Sequence, residues 1–309
     1  MSFSGEVKEE LSKQLCQSRH CQLAELAALI HFAGRITAAG GKTRLVIATE
    51  HASIARKCYT LIKEAFSYAP AIRQQGNYSV IVEEEAQVLR VLKAVKLLDA
   101  NGRAIGAPDL VDERLIRRSC CMRAYIRGAF LASGSMSDPQ KSYHLEIVCA
   151  GERQAGQLRD IMRTFIPDAK VVQRKKYFIC YIKEGAQIVD TLNVMGAHAA
   201  LMNLENVRIV KEMRNSVNRK VNCETANINK TVSAAVRQLE DIRLIEERKG
   251  LSFLPDNLRQ VARLRLECPD MPLKELGEEL HPPVGKSGVN HRFRKINEIA
   301  RQLRRGSND

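Results

Sequence analysis

A chain of 309 residues with a hydrophobic fraction of 45% carries enough apolar side chains for two or three buried cores. Its 49 lysines and arginines against 35 acids leave a formal net charge of +14, which favours a polyanionic partner, with nucleic acid ahead of a membrane surface. Tryptophan is absent and aromatics make up only 5%, which argues against base stacking on an aromatic platform as the main binding mode.

The first residues, MSFSGEVKEELSK, are charged and amphipathic rather than a signal peptide. No apolar run approaches the roughly 20 residues of a membrane span. Cys16, His20 and Cys21 are soft ligands close together, but no matching second pair follows, so no metal is expected there. The nine cysteines show no CxxC spacing, and Cys120 and Cys121 are adjacent, an arrangement that rarely makes a disulfide or a chelating pair. They read as reduced, mostly buried thiols of a cytoplasmic protein.

An Ala-rich helix is expected over residues 23–35, then a strand over 43–49 (TRLVIAT) and a helix over 53–66. A hairpin turning at Gln75-Gly76-Asn77 and a helix over 85–98 follow. The stretch from Asn101 and Gly102 to Pro108 punctuates the chain. The same layout then returns. A helix over 114–133, a strand over 144–150 and a helix over 152–165 are followed by a strand pair turning near Arg174-Lys175 and a helix over 185–195. Gly34 corresponds to Gly134 and Tyr78 to Tyr177, so the offset is 99 to 100 residues. That period is too long for a solenoid and implies a duplicated α+β unit.

The first helix of each copy ends in LAALIHFAG (26–34) and IRGAFLASG (126–134). Both resemble the LAGLIDADG helix of homing endonucleases. The resemblance implies two helices packed side by side through small residues, here Ala27, Ala28, Ala33, Gly128, Ala129, Ala132 and Ser133. It also implies that the acid before the final glycine of each motif binds the metal ions that cleave DNA. Those positions are Ala33 and Ser133, which supply no carboxylate. Glu25, Glu50 and Asp138 are near in sequence but off the motif position. Without a metal nothing activates the attacking water, so no catalytic residue and no nuclease activity are expected.

A basic, Asn-rich stretch leads onward as a linker to a helix that Thr231 can cap, continuing through Ala235, Val236, Leu239 and Ile242 to an end at Gly250. A helix over 258–266 is broken at Pro269-Asp270, and Pro272 opens another carrying Leu273, Leu276 and Leu280. Pro282 and Pro283 forbid helix, and Ser287 is placed to cap the last one. Within that helix Val289, Phe293, Ile296, Ala300 and Leu303 fall on one stripe, which reads as the second helix of a helix-turn-helix. Off the stripe, Ser287, Asn290, His291 and Arg294 suit base edges in the major groove. Lys286, Arg292, Lys295 and Arg301 suit phosphates. Gly285-Lys286-Ser287 lacks the first glycine and the strand of a phosphate-binding loop, so no nucleotide is expected.

The acid-stripped duplication, the stretch NCETANINKT at 222–231 and the segment LKELGEEL together resemble the WhiA family over essentially the whole chain. The resemblance implies an α+β fold of duplicated LAGLIDADG-like units followed by an all-α helix-turn-helix domain. The expected division is 1–107, 108–203, a basic linker and connecting helix over 204–255, and a DNA-binding domain over 256–309. The expected function is a sequence-specific, DNA-binding transcriptional regulator of cell division and chromosome segregation, and of sporulation where the host sporulates. The alternatives are a non-specific nucleoid-associated architectural protein or a residual endonuclease. Double-stranded DNA is the expected partner, with the LAGLIDADG-like region lying on DNA or docking a protein. No cofactor, metal, nucleotide or membrane is expected, and the location is cytoplasmic, on the nucleoid.

Overall fold

The computed structural model describes residues 2–39, 42–105 and 109–305, and the chain divides into two compact units, Met1–Lys211 and Glu212–Asp309. The expected boundary between the two copies, at 107–108, lies outside the described residues.

In the first unit α1 (Phe3–Ser12) precedes two copies of one layout. The first comprises α2 (Arg19–Ala33), β1 (Gly34–Ala39), β2 (Lys42–Thr49), α3 (Ala52–Phe66), β3 (Ala71–Gln75), β4 (Asn77–Val82) and α4 (Glu85–Ala94). The second comprises α5 (Ser119–Ser133), β5 (Gly134–Met136), β6 (Leu145–Cys149), α6 (Glu152–Arg163), β7 (Lys170–Arg174), β8 (Tyr177–Ile182) and α7 (Gly185–Met195). Each copy builds an antiparallel four-stranded sheet, ordered β1-β2-β4-β3 and β5-β6-β8-β7. Even the register repeats, because Gly34 pairs with Ile47 and Gly134 with Ile147.

Two strands were not expected. β1 and β5 start on the motif glycines, directly at the ends of α2 and α5. Both glycines have ordinary extended backbone. Crowding accounts for them instead: a Cβ on Gly34 would lie 2.5 Å from the Ile30 carbonyl oxygen, and one on Gly134 2.7 Å from that of Phe130. In the second copy the helix starts at Ser119 rather than near 114, and Glu113–Leu115 form a short 3-10 turn.

α2 and α5 pack against each other at the centre, with Ala24, Ala27, Ala28, Ala124 and Ala129 all buried. A Cβ on Gly128 would meet the Glu25 carbonyl oxygen at 2.6 Å and the Ala28 Cβ at 2.8 Å, so the close approach requires glycine. One charged cluster is sealed in this interior. Glu25 is 0% exposed and pairs with Lys57 at 2.7 Å and with Arg127 at 2.9 Å. Lys57 also donates to the carbonyls of Leu11 and Gln14, and Arg127 donates to the Met195 carbonyl and the Cys16 sulfur. Burial pulls the Lys57 ammonium down, and the Glu25 carboxylate opposes that. With its charge balanced and its lone pairs used, Glu25 ties α1, α2, α3, α5 and α7 into one core.

The expected basic linker is not a loop. α8 runs unbroken from His198 to Lys249, 52 residues, and Glu10 of α1 caps its start by accepting from the backbone N–H groups of Ala199 and Ala200. Thr231 lies inside the helix, where its hydroxyl donates to the Asn227 carbonyl four residues back instead of capping an end. Gly250, with φ of 73°, ends the helix as expected.

The second unit takes the last part of α8 together with α9 (Asp256–Glu267), α10 (Leu273–Glu278) and α11 (Lys286–Arg305). Ile242 and Ile245 of α8 share a core with Leu254, Leu258, Val261, Leu276, Leu280 and the stripe Val289, Phe293, Ile296 and Ala300. Leu303, the last stripe residue, packs partly buried against it.

Candidate nucleic-acid interface

α10 and α11 are held at a fixed spacing by a tight turn. The Val284 N–H donates to the Gly277 carbonyl at 2.8 Å, and a Cβ on Gly277 would lie 2.0 Å from the Val284 carbonyl oxygen. Arg265 of α9 closes the preceding corner. Its guanidinium lies 5.4 Å from the centroid of the Phe293 ring and donates to the carbonyls of Pro269 and Met271. The buried stripe of α11 therefore fixes which way its polar face looks.

Lys286, Ser287, Asn290, His291, Arg294, Lys295 and Arg301 are all exposed. One expectation needs correction. α11 begins at Lys286, and the Gly285 carbonyl accepts the Val289 N–H, so Ser287 stands in the first turn rather than capping the helix. Arg292 is half-buried and donates to the Asn257 carbonyl at 3.2 Å, which ties it to α9.

The structure brings three of the expected residues into one groove. Asn290, Arg294 and Arg301 line a cleft of about 660 Å³ between α11 and α8, together with Asn229, Lys230 and Arg237. Lys286, Ser287 and Asn290 border a second hollow of about 540 Å³ beside Leu273. His291 and Lys295 line neither. Asn229 and Lys230 escaped the sequence reading because the Asn-rich stretch showed no helical apolar face, and Arg237 because only the packing of its helix on α11 brings it to the groove. Asp241, 3% exposed, lies in the helix the sequence did show, but only the packing of that helix on α11 reveals its role. It pairs with Arg304 at 2.9 Å and accepts from Asn297, anchoring α11 against α8. The groove thus presents amides and cations, with the acids Asp241 and Glu298 among them, a donor and acceptor set that suits nucleic-acid bases and phosphates.

In the first unit, Ala33 and Ser133 do meet, lining one pocket of about 410 Å³ with Lys8, Glu50 and His51. The Ser133 hydroxyl donates back to the Ala129 carbonyl. Burial lowers both the Lys8 ammonium and the His51 imidazole, and Glu50 opposes each shift. Glu50 is the one carboxylate lining this pocket, and Lys8 faces it. A hard divalent cation favours carboxylate oxygens, and these two helix ends offer a methyl and a hydroxyl instead.

Among the described residues, no helix is long and apolar enough to cross a membrane.

Three family descriptions match the chain: the WhiA N-terminal LAGLIDADG-like domain over residues 19–98, the WhiA LAGLIDADG-like domain over 122–214 and the WhiA C-terminal HTH domain over 217–300. The chain is 48% identical over 316 residues to a probable cell division protein WhiA of Lachnoclostridium phytofermentans, covering 98% of this chain and 100% of the relative. It is likewise 48% identical to the probable cell division protein WhiA of Alkaliphilus oremlandii, covering 99% of each. These relatives are named as cell division proteins and not as enzymes. Among solved structures, full-length DUF199/WhiA from Thermatoga maritima matches with a TM-score of 0.59 and 25% identity, over 98% of this chain and 99% of that one. A duplicated LAGLIDADG-like unit, a helix-turn-helix and full-length relatives at this identity agree: the chain belongs to the WhiA family.

Proposed function

We propose that this protein is a sequence-specific, DNA-binding transcriptional regulator that acts in cell division and chromosome segregation, and in sporulation where its host sporulates. It works in the cytoplasm on the nucleoid, with residues 256–309 as the DNA-binding module and residues 1–203 as a scaffold without nuclease activity. The observation that carries this reading is the exposed face of α11. Asn290 and Arg294 stand outward above a buried stripe, on the helix that a helix-turn-helix lays in the major groove. An Arg grips guanine and an Asn grips adenine through paired hydrogen bonds, so these two residues read bases while Lys286, Lys295 and Arg301 hold phosphates. Three such phosphate contacts correspond to a log–log salt slope of about −3. The absence of an acid at Ala33 and Ser133 supports the loss of cleavage chemistry.

Retention of sheared genomic DNA on the full chain at near-physiological salt with magnesium tests the reading. A few strongly enriched, uncut sites are expected on sequencing. Uniform retention would instead favour the second reading, an architectural protein held by its charge of +14. Fresh protein-dependent ends at recurrent positions would contradict the loss of nuclease chemistry.

A further inference from the structure

The first turns of α2 and α5 carry chemistry that the DNA-binding reading does not use. His20 and Cys21 are the second and third residues of α2, and Cys120 and Cys121 hold the same two places in α5. The offset is the 100 residues that separate Gly34 from Gly134, so the two pairs are equivalents in the duplicated unit. Because α2 and α5 pack along their length through alanine and glycine, their first turns meet.

The side chains converge. His20 Nδ1 lies 3.2 Å from the Cys21 sulfur and 3.2 Å from the Cys121 sulfur. With Cys120 included, the four donor atoms all lie within 4.8 Å of one another. A tetrahedron with Zn–S bonds of about 2.3 Å and Zn–N bonds of about 2.0 Å has edges of about 3.5 to 3.8 Å, so this cluster sits at the spacing of one ion, within a small side-chain adjustment. Cys21 and Cys121 are 5% and 3% exposed and pack with Ala24 and Ala124, while Cys120 is exposed and His20 partly so. The site therefore has an apolar floor and an open side by which a metal can enter. Cys16, close by, is already engaged by Arg127 at 2.9 Å and stands outside the set.

We propose that this cluster is a structural zinc site, with one Zn²⁺ held by His20 Nδ1 and the sulfurs of Cys21, Cys120 and Cys121. Ligation converts three thiols to thiolates, and their three protons leave to solvent; no electron changes hands. A Cys₃His set is a closed, four-coordinate arrangement, so the ion joins the two copies of the scaffold and catalyses nothing. It does in a reducing compartment what a disulfide does in an oxidising one. The sequence alone hid it because its two halves are 100 residues apart and each, taken singly, is an incomplete ligand pair.

The test is elemental analysis of the full chain purified under reducing conditions without chelator, followed by cobalt(II) titration of protein stripped of metal. One zinc per chain is expected, and the cobalt form should show the intense visible bands of a tetrahedral, thiolate-ligated ion. Cys121→Ser and Cys21→Ser should each weaken binding about tenfold or more, whereas Cys223→Ser, whose thiol is exposed elsewhere, should leave it unchanged. Should a buried-thiol variant fail to fold, Cys120→Ser at the exposed ligand and the wild-type cobalt spectrum still decide. Zinc well below one per chain together with a pale, thiolate-free cobalt spectrum would overturn the proposal. So would recovery of Cys21 and Cys121 as a disulfide from protein kept reduced.

Discussion

At the α2–α5 helix pair, one cluster of charged side chains faces inward and is matched: Glu25 holds both Lys57 and Arg127 in a sealed interior. On α11 of the second unit they face outward, and Lys286, Arg294, Lys295 and Arg301 look into solvent above an apolar stripe. Both units place helices through buried small or branched side chains, and in the second the exposed face of one helix gathers cations and amides beside a groove. The difference teaches where to look for function in a LAGLIDADG-like scaffold. An acid near a catalytic motif is not evidence of catalysis when two cations already neutralise it.

That contrast is broken most severely by removing the buried acid. Glu25→Ala leaves Lys57 and Arg127 uncompensated in the interior, and we expect a loss of about 3–5 kcal/mol in denaturant unfolding of the first unit. Retention of wild-type stability would mean that the cluster is hydrated and does not hold the core.

His31, in the same interior, sharpens the comparison through pH. Burial holds its imidazole down at about 4, below the ordinary 6.5. The unfolded chain takes up the proton first as the pH falls. The contribution of the neutral ring is therefore complete above pH 6.5 and is lost as the pH drops through 4. The loss is at most about 3 kcal/mol. His31→Gln should flatten the difference in unfolding free energy between pH 6.5 and 4; an unchanged pH profile would count against the buried, neutral ring.

Smaller effects separate two cations of α11. Arg292→Ala removes the bond to the Asn257 carbonyl and should cost about 1 kcal/mol of thermal stability in the second unit, with little change in salt dependence. Lys295→Ala should do the reverse, leaving stability intact and reducing the salt slope of DNA binding by about 1. Equal effects of the two on the salt slope would return Arg292 to the phosphate contacts.

Much of this molecule was legible in its sequence, and the exceptions have physical causes. The α11 stripe was readable because a twenty-residue amphipathic helix repeats its apolar spacing several times. The duplication was readable because Gly34 and Gly134 are each forced by a clash with the helix four residues earlier. β1 and β5 were hidden because each starts directly at the end of a helix and, at six and three residues, is too short to show an alternating pattern. The part of α8 before Thr231 was hidden because the middle of the helix is exposed on every face, so helical periodicity had no core to report. Of the interface, the α11 residues could be read, whereas Lys230, Arg237 and Asp241 join the groove only through the packing of α8 on α11.

The most direct test of the central claim compares the genomic fragments retained by wild-type protein with those retained by Asn290→Ala and Arg294→Ala. Both side chains are exposed, so the fold should survive. The account expects the enriched sites to fall away, by about 1–3 kcal/mol at particular base pairs, while background retention through the phosphate contacts persists. An unchanged set of enriched sites, or an equal loss on every sequence, would contradict base reading by α11.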